Sequence, residues 1–429
     1  MTVDFGGDIG LVCDNSKEAD AKTKFLLTRL NAPYEKDAKE RGAEVLSPSR
    51  LIEALNLKEM EVVGVTGTNG KTTTTAAIYS ILLDLGYKAA LQGTRGFYIN
   101  DEKLEEKSLT TPTSLATIVH MAEARKRGAE FFIMEVSSHA IDQNRIDGID
   151  FSLKVHTNLT SDHLDYHGSL ECYRAVKSSF FSDDARKLVN RDEDILKFNP
   201  KNAFGYGIEN PATYKVMAYT LAGGVSGVLK HFETVVPFET SLHGFFNLYN
   251  ITAAIAAVHI LTEEDLGDIC EAAEEFGGVA GRMEVVSENP LVIVDFAHTE
   301  DGMKQVLDSL KEKEIRVVFG AGGDRDRTKR AKMGLAAAAI AKRLYITSDN
   351  PRSEDPLAII DEIASEIKET QKVEKIVDRR EAIAKAIGDL QPEEALLVLG
   401  KGDETYQEIG GEKIPFDDRE AIRELLSSI

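Results

Sequence analysis

The sequence lacks the features that mark secreted proteins, metal sites built from cysteine and histidine, and nucleic-acid-binding proteins. Its 429 residues include only three cysteines, Cys13, Cys172 and Cys270, which stand far apart in no Cys-x-x-Cys or Cys/His spacing. Such cysteines are typical of reduced cytosolic thiols and exclude a disulfide framework. The 51 Lys and Arg residues are outnumbered by 72 Asp and Glu, so the net charge is −21. This excess repels phosphates and argues against nucleic acid or an anionic membrane as a main partner.

Long apolar runs are also missing. The longest nearly apolar stretch, 251–261, contains Thr252 and His259 and is too short to cross a bilayer. The N-terminus has neither the basic start nor the apolar core of a signal peptide. We therefore expect a cytoplasmic protein without a membrane partner. At this length, with 42% hydrophobic residues, two or three domains with cores of their own are expected.

What is present is organised around residues 62–75, Val-Val-Gly-Val-Thr-Gly-Thr-Asn-Gly-Lys-Thr-Thr-Thr-Thr. An apolar strand runs into a glycine loop and then into a helix whose apolar residues recur at helical spacing. Glycines there let backbone N–H groups face an anion at a helix N-terminus, while Lys71 adds a cation and Thr72 a hydroxyl for Mg²⁺. The segment predicts ATP or GTP binding. Val65 stands where the general phosphate-loop pattern has glycine, so a glycine-rich turn with an incidental lysine is the alternative.

The rest of the chain alternates strand-like and helix-like segments, which predicts parallel strands with helical crossovers. The pattern from residue 60 onward predicts an α/β domain. Residues 203–239 are rich in strand-forming residues, and we interpret them as an antiparallel insertion or flanking sheet. Residues 277–281 are typical of a hinge. A second α/β run from residue 291 predicts a Rossmann-like domain. Before residue 58, helices are expected over 19–30 and 49–57.

Polar residues follow several predicted strands, at the edge where open parallel sheets keep their sites. Glu135 comes after four apolar strand residues and could hold Mg²⁺ opposite Thr72, the alternative being a solvated loop acid. The helix after Asp-His-Leu-Asp-Tyr-His-Gly at 162–168 carries Lys177 on its inward face. Spacing alone favours a lysine that extends its ammonium to water past apolar neighbours. The alternative is a desolvated amine with a chemical role.

A last group of polar residues is spread over the second α/β run, where every predicted strand ends in a polar loop, at 295–298, 323–326, 349–352 and 400–404. Unrelated surface loops would seldom place polar residues after every strand. We therefore expect these loops to form one site that faces the glycine loop. Residues 320–323 are similar to a dinucleotide fingerprint, but Arg325 stands at its third glycine position, which disfavours NAD binding.

Nine segments in order resemble the Mur ligases of the MurE type, the UDP-N-acetylmuramoyl-tripeptide synthetases, from about residue 60 to the end. They are Thr-Gly-Thr-Asn-Gly-Lys-Thr (66–72), Thr-Thr-Pro (110–112), Met-Glu-Val-Ser-Ser-His (134–139), Asp-His-Leu-Asp-Tyr-His-Gly (162–168), Gly-Phe-Phe-Asn-Leu-Tyr-Asn (244–250), Gly-Arg-Met-Glu (281–284), Gly-Gly-Asp-Arg-Asp (322–326), Asp-Asn-Pro-Arg (349–352) and Phe-Asp-Asp-Arg (416–419).

The resemblance implies a three-domain α/β architecture. A shortened N-terminal domain (1–59) would bind the UDP-linked substrate. A central domain (60–281), with a parallel sheet and an antiparallel flanking sheet, would bind ATP. A C-terminal Rossmann-like domain (282–429) would bind the amino acid. The implied protein is a monomeric, ADP-forming ligase that adds a free amino acid to a UDP-linked peptide of murein or pseudomurein, through an acyl phosphate.

The resemblance also assigns roles to residues. Those expected at ATP are Gly67, Thr68, Asn69, Gly70, Lys71, Thr72, Thr73, Asn247, Asn250, Arg282, Asp295 and His298. Two Mg²⁺ ions would be held by Thr72, Glu135, His163 and a carbamylated Lys177, and the catalytic set would be Lys71, Lys177, His163 and Glu135. The sugar-peptide would contact Thr110, Thr111, Ser137, Gln143 and Arg145, and the amino acid Asn350, Arg352, Gly400 and Glu404. Carbamylation by CO₂ turns a cation into a carboxylate-like ligand, which reverses the preference for a water-exposed Lys177.

The sequence departs from the family pattern in ways that leave the substrates open. The Asp-Ser-Arg signature and Pro-Gly turn that help bacterial members bind uridine are absent, and Phe296, Glu300 and Asp403 replace a usual Tyr, Pro and His. The short first domain looks like archaeal pseudomurein ligases, whereas Asp-Asn-Pro-Arg usually accompanies diaminopimelate in bacteria. Lys, diaminopimelate, Glu and Ala remain candidates for the added residue. The alternatives are a folylpolyglutamate-synthase-like or cofactor-directed ligase of the same family, and a non-catalytic nucleotide-binding scaffold.

Overall fold

The structure, a computed structural model, describes residues 1–106, 109–160, 162–368 and 372–428, and the side chain of Asp165, within one of the segments above, lies outside that description. The chain forms two compact units. The first comprises Met1–Thr220, Ser226–Thr240 and Leu248–Phe276, and the second Leu221–Val225, Ser241–Asn247 and Gly277–Ile429.

The first unit begins with a four-stranded sheet in the order β1 (Thr2–Asp4), β2 (Leu11–Cys13), β3 (Thr23–Leu26) and β4 (Glu44–Leu46), with helices α1 (Glu35–Glu40) and α2 (Pro48–Ala54). The prediction of a helix over 19–30 is wrong. Phe25 and Leu26 are fully buried, and their strand pairs in parallel with both β2 and β4. Tertiary pairing thus overrides the helix-like pattern of charges. The helix expected over 49–57 is confirmed as α2, which Ser47 caps through the N–H of Arg50.

An eleven-stranded sheet forms the centre of the first unit. Its strands are β5 (Glu61–Thr66), β6 (Ala89–Gly93), β7 (Gly96–Ile99), β8 (Glu102–Glu105), β9 (Phe131–Glu135), β10 (Leu153–His156), β11 (Lys187–Asn190), β12 (Ala203–Gly207), β13 (Tyr214–Thr220), β14 (Val225–His231) and β15 (Thr234–Thr240). They lie in the order β15-β14-β13-β12-β11-β10-β5-β9-β6-β7-β8. Strands β6, β9, β5, β10, β11 and β12 pair in parallel, so the carboxyl ends of β5, β9 and β10 meet at one edge.

The segment 203–239 is part of this same sheet and not a separate insertion. Strand β12 continues the parallel order and also pairs in parallel with β13, and the antiparallel pairing begins between β13 and β14. The expected antiparallel flank is therefore present at the far edge, joined to the parallel core by backbone hydrogen bonds.

The helices of this unit follow the strands in alternation, as predicted. They are α3 (Lys71–Asp84), α4 (Ser114–Lys126), α5 (Ser138–Asp142), α6 (Leu164–His167), α7 (Leu170–Ser179), α8 (Phe245–Thr262) and α9 (Leu266–Glu274). Helix α8 extends the apolar run 251–261 to 18 residues with a mean hydropathy of 1.4, and among the described residues it alone is long and apolar enough to cross a membrane. Because 67% of it is buried inside the protein, it has the character of a core helix.

The second unit contains a six-stranded sheet. Its strands are β16 (Glu284–Glu288), β17 (Leu291–Asp295), β18 (Ile315–Phe319), β19 (Arg343–Ile346), β20 (Val373–Lys375) and β21 (Ala395–Leu399), in the order β16-β17-β21-β18-β19-β20. Only the β16–β17 pair is antiparallel. The helices are α10 (Glu300–Asp308), α11 (Thr328–Ile340), α12 (Pro356–Ala364), α13 (Arg379–Asp389) and α14 (Asp418–Ser427), and a hairpin joins β22 (Tyr406–Ile409) to β23 (Glu412–Pro415). The α/β domain predicted from residue 291 is confirmed.

Candidate active site

The loop between β5 and α3 is shaped by two glycines that have no room for a side chain. A Cβ at Gly67 would lie 1.8 Å from Thr157 Oγ1, and one at Gly70 would lie 2.3 Å from Asn250 Oδ1. Gly70 also has φ +82°, a conformation that other residues rarely adopt. Close packing on both sides therefore fixes the path of the backbone at the start of α3.

Hydrogen bonds to the loop after β10 hold the glycine loop in place. The hydroxyl of Thr68 accepts the N–H of Thr160 at 2.9 Å and lies 3.1 Å from the hydroxyl of Tyr173. The N–H of Asn69 donates to Asn158 Oδ1 at 2.9 Å. The predicted loop residues Thr68 and Asn69 are thus anchored to a neighbouring strand end, which makes the loop a preformed cradle.

Lys71 and Thr72, the first residues of α3, present a cation and a hydroxyl at this cradle. The ammonium of Lys71 donates to the carbonyl oxygens of Gly67 and Thr68, both at 2.8 Å. The hydroxyl of Thr72 donates to Glu135 Oε2 at 3.1 Å. The next residue, Thr73, is buried in the first turn of the helix. A hydroxyl paired with a carboxylate is a donor set suited to Mg²⁺.

Glu135, the last residue of β9, is buried and held from a second side by Thr94. The N–H of Thr94 donates to Oε1 at 2.8 Å and its hydroxyl to Oε2 at 3.3 Å. The same hydroxyl lies 3.1 Å from that of Thr110. Thr94 was not among the predicted site residues. It directly follows β6, and a polar residue at the end of a strand was the same signal that identified Glu135 at the end of β9.

The residues predicted to contact the sugar-peptide surround the end of β9. Thr111 donates its hydroxyl to the carbonyl of Glu135 at 2.9 Å and accepts the N–H of Ser137 at 3.0 Å. Arg145 donates to the carbonyl of Thr111 at 2.8 Å and to Gln143 Oε1 at 2.9 Å. The structure therefore brings together all five residues of this predicted set, which are Thr110, Thr111, Ser137, Gln143 and Arg145.

Lys177 points into the protein and not to water. Its side chain is 1% exposed, and its ammonium donates to Thr66 Oγ1 at 3.1 Å and to the carbonyl of Gly67 at 2.9 Å. The interpretation as a water-exposed lysine is wrong because α7 lays this face against the end of β5. Burial, and then the nearby charge of Lys71, lower the pKa of Lys177 well below its usual value. A lowered pKa raises the share of the neutral, nucleophilic amine relative to an exposed lysine.

His163 precedes α6 with φ +52° and is half exposed. Its Nε2 lies 3.3 Å from Asp162 Oδ2, and its ring meets that of His139 edge-on, with the centroids 4.9 Å apart. Burial lowers the pKa of His163, Asp162 opposes that change, and His139, Lys71 and Lys177 add to it. A neutral imidazole is the form that can bind a metal ion.

No three His, Cys, Asp or Glu side chains are grouped as a ready metal site in the part of the chain that the structure describes. The predicted metal set contains only two such residues, Glu135 and His163, together with the hydroxyl of Thr72 and the amine of Lys177. Within this predicted set, a carbamate on Lys177 would be the third acidic or imidazole ligand.

The two asparagines expected near adenine both lie on α8 and are buried. Asn250 Oδ1 accepts the hydroxyl of Thr74 at 3.4 Å and lies against Gly70. Asn247 instead donates its amide to the carbonyl of His243 at 2.8 Å. The structure thus places Asn250 at the glycine loop, whereas the amide of Asn247 bonds to the segment just before its own helix.

In the second unit, Arg282, Asp295 and His298 gather at the carboxyl end of β17. The buried carboxylate of Asp295 accepts the N–H of Met283 at 2.8 Å and that of Ala297 at 2.7 Å, and burial raises its pKa. The guanidinium of Arg282 lies 4.5 Å from the ring centroid of Phe296. His298 is exposed, with Nδ1 3.0 Å from the carbonyl of Phe296.

The residues predicted to bind the amino acid also gather in the second unit. Asn350 donates to Glu404 Oε2 at 2.8 Å, and the fully buried Lys401 donates to the same oxygen at 3.1 Å. Lys401 was not singled out, although it stands within the polar loop predicted at 400–404. Gly400, with φ +110°, would carry a Cβ only 2.7 Å from Asp349 Oδ2, so the loop passes close to the end of β19.

Arg352 belongs to the same cluster of residues predicted to bind the amino acid. Its backbone is strained, with φ +51°. Its guanidinium donates to the carbonyl of Gly323 at 2.6 Å and to Glu408 Oε2 at 3.2 Å. A planar cation held in this way is suited to a carboxylate. The cluster therefore combines the cationic groups of Arg352 and Lys401 with the carboxylates of Glu404 and Glu408.

Comparisons with known proteins agree with this arrangement. The family described as "Mur ligase middle domain" matches residues 65–258, and the family described as "Mur ligase, glutamate ligase domain" matches residues 281–402. A relative from Wolinella succinogenes, a UDP-N-acetylmuramoyl-L-alanyl-D-glutamate–2,6-diaminopimelate ligase, is 54% identical over 98% of this chain and 97% of its own length. A solved structure of a ligase with the same name has a TM-score of 0.71 at 30% identity and covers 100% of this chain and 99% of its own.

The fold and the site define an ATP-dependent, ADP-forming ligase of cell-wall biosynthesis, which joins an amino acid to a UDP-linked peptide. The chain belongs to the Mur ligase family. A pseudomurein peptide ligase from Methanothermus fervidus shares the fold, with a TM-score of 0.68, at only 18% identity. Because the bacterial relative from Wolinella aligns over almost its full length, a short first domain does not by itself favour an archaeal ligase.

Replacing Gly70 with alanine is expected to weaken ATP binding by at least about tenfold, since the new Cβ collides with Asn250 and displaces the loop. Gly86→Ala is the matched control. Gly86 has φ +88°, close to that of Gly70, but nothing lies within 4 Å of its Cβ position. Both variants should therefore lose about 1 kcal/mol of stability from backbone strain. Calorimetric titration with ATP and Mg²⁺ separates them, and equal affinities for the two variants would contradict the collision.

Proposed function

We propose that this ligase adds diaminopimelate to UDP-N-acetylmuramoyl-L-alanyl-D-glutamate, the reaction in the printed name of the Wolinella relative. The 54% identity over nearly the whole of both chains supports these substrates. The structural observation that carries the ligase chemistry is the buried amine of Lys177, 2.9 Å from the carbonyl of Gly67 in the glycine loop.

In this proposal the first unit binds ATP and the UDP-linked peptide. The loop N–H groups of 67–70 and the ammonium of Lys71 bind the phosphates, and Thr72 with Glu135 holds Mg²⁺. Their fit is supported by the 3.1 Å contact between the hydroxyl and the carboxylate. Mg²⁺ bound there would neutralise charge on the phosphates. Thr111, Ser137 and Arg145 would position the carboxylate of the peptide.

We further propose that Lys177 reacts with CO₂. Its neutral nitrogen attacks the carbon of CO₂, an N–C bond forms, one C–O π pair moves to oxygen, and the nitrogen releases a proton to a base in solution. The resulting carbamate would supply a third strong ligand for Mg²⁺ beside Glu135 and His163. The low pKa of this amine favours the step, because only the neutral form has a lone pair to donate.

The ligation then proceeds in two steps. The peptide carboxylate attacks the γ-phosphorus of ATP, and the bond to the ADP oxygen breaks, while Lys71 balances charge on the equatorial oxygens. The amine of the amino acid then attacks the acyl carbon, phosphate leaves, and the amine proton passes to a base in solution. Arg352 and Glu404 of the second unit would hold the carboxylate and ammonium groups of the amino acid.

The proposal also covers the roles of the three domains, the oligomeric state and the cellular location of the protein. Residues 1–59 would contact the uridine end of the substrate, 60–281 the nucleotide and peptide, and 282–429 the amino acid. We propose a cytoplasmic monomer. The three cysteines are free in the structure and two of them are buried, in keeping with a reducing compartment.

The test supplies the purified protein with ATP, Mg²⁺, UDP-N-acetylmuramoyl-L-alanyl-D-glutamate and one of diaminopimelate, Lys, Glu or Ala. We expect a product heavier by one diaminopimelate residue, with equimolar ADP, and a kcat/KM at least about 10²-fold above that for Lys. Comparable addition of Lys would overturn the amino-acid assignment. ADP release without any product in all four mixtures would overturn the ligase assignment.

A further inference from the structure

His156, the last residue of β10, is a buried polar side chain without an assigned role. It is 0% exposed, and neither ring nitrogen makes a hydrogen bond of normal geometry within the described part of the chain, although the backbone of Asn158 lies close to the ring. A buried imidazole left in this way costs about 1–3 kcal/mol. Such a group calls for an explanation that a core-filling role does not provide, because an apolar ring would fill the same space without that cost.

The strand register places His156 beside Lys177. In the parallel pairing of β10 with β5, His156 is the partner of Thr66, so the two side chains lie on one face of the sheet. The hydroxyl of Thr66 is the group that accepts the ammonium of Lys177 at 3.1 Å. Phe181, four residues beyond Lys177, meets the imidazole edge-on with ring centroids 6.0 Å apart. The imidazole and the amine therefore share the space between α7 and the ends of β5 and β10.

The imidazole can serve as a donor in either of its two neutral tautomers. Each tautomer carries one N–H and one acceptor nitrogen. Because neither ring nitrogen has a hydrogen-bond partner of normal geometry among the described residues, a donor is available for an oxygen placed nearby.

The carbamate proposed on Lys177 needs such a donor. Its nitrogen keeps one N–H, which can retain one of the two present bonds, to Thr66 or to Gly67. Its two oxygens add acceptor sites in a space where the neighbouring carbonyl of Gly67 can only accept. A neutral N–H donated to a charged oxygen is among the stronger hydrogen bonds in proteins.

We propose that His156 is a positioning residue for the carbamate of Lys177. One ring N–H would donate to a carbamate oxygen, and the other oxygen would remain free to bind Mg²⁺. This inference rests on the proposed carbamylation, and it adds a residue of this chain that holds the modified lysine in place.

The test measures carbamate directly. Protein equilibrated with ¹³C-bicarbonate at rising concentration is examined by ¹³C NMR, and ligase activity is measured in the same samples after removal of ambient CO₂. His156→Phe and His156→Met, which remove the donor, should need about 10–100-fold more bicarbonate for half-occupancy. At least one of His156→Asn and His156→Gln, which offer an amide N–H near the position of Nδ1 or Nε2, should restore most of this loss. Two apolar variants are used so that one can be read if the other fails to fold.

Two controls separate the possible failures. His231→Phe changes a histidine on β14 that stacks on Tyr214 at 4.3 Å and should leave the bicarbonate curve unchanged. Lys177→Ala should abolish the ¹³C signal, and a retained signal would overturn the proposed carbamylation itself. If Lys177→Ala behaves as expected but an apolar His156 variant titrates like the wild type, only the role of His156 is overturned. The same holds if Asn and Gln are as impaired as Phe, since that result indicates a steric role.

Discussion

Lys177→Ala is expected to lower kcat/KM by about 10³-fold, and acetate or propionate at high concentration is expected to restore part of it. Removing the side chain removes the proposed carbamate and leaves Glu135 and His163 as the remaining strong ligands. The space it leaves is buried beside Thr66 and Gly67, where a short carboxylate can take the place of the carbamate. Initial rates of ADP formation, with the acid varied at constant ionic strength, give the measurement.

Lys154→Ala is the matched control for this prediction. Lys154 is also a buried lysine, on β10 in the same unit, but its ammonium donates to the carbonyl of Phe180 at 2.8 Å and forms an ion pair with Asp183 at 2.5 Å. Its loss should reduce stability, and added carboxylates should not raise the activity. Turnover near the wild-type level in Lys177→Ala would contradict the proposed site, and rescue of both variants alike would show that the carboxylate acts elsewhere.

Asp418→Ala is expected to lower the free energy of unfolding of the second unit by about 3–5 kcal/mol. Asp418 and Arg379 are both fully buried and form two hydrogen bonds of 2.7 Å, and Arg379 also donates to the carbonyl of Leu399 at 3.0 Å. Removing the carboxylate leaves a buried guanidinium without its counter-ion. Urea denaturation, followed by hydrogen exchange in β21 and α13, localises the loss to this unit.

The exposed pair Arg380–Glu424, on the same two helices, provides the control. The two side chains are 49% and 64% exposed, and Glu424→Gln should change stability by less than about 1 kcal/mol. The double variant Arg379→Met/Asp418→Leu should recover much of the loss, because it leaves no uncompensated charge. A loss below about 1 kcal/mol in Asp418→Ala would show that the guanidinium finds water or another partner.

Much of the fold was predictable because it depends on local spacing. The glycine loop, the strands before Glu135 and Asp295, and the alternation of strands with helices follow from short periodic patterns. The helix expected over 19–30 failed because Phe25 and Leu26 are buried by strands that are distant in sequence. Thr94 and Lys401 escaped notice because their roles depend on which loops meet, although both stand just after strands.

The sequence by itself determined the family, the order of the polar segments and the kind of ligand that the glycine loop binds, since these depend on residue type and spacing along the chain. The tertiary structure decided which of those residues are buried and with what. Spacing alone favoured a water-exposed Lys177, and packing of α7 over the end of β5 buries its amine and lowers its pKa. Asp418, read as part of a family segment, is a buried partner of Arg379. Burial and pairing arise between distant segments, and a pattern along one segment does not contain them.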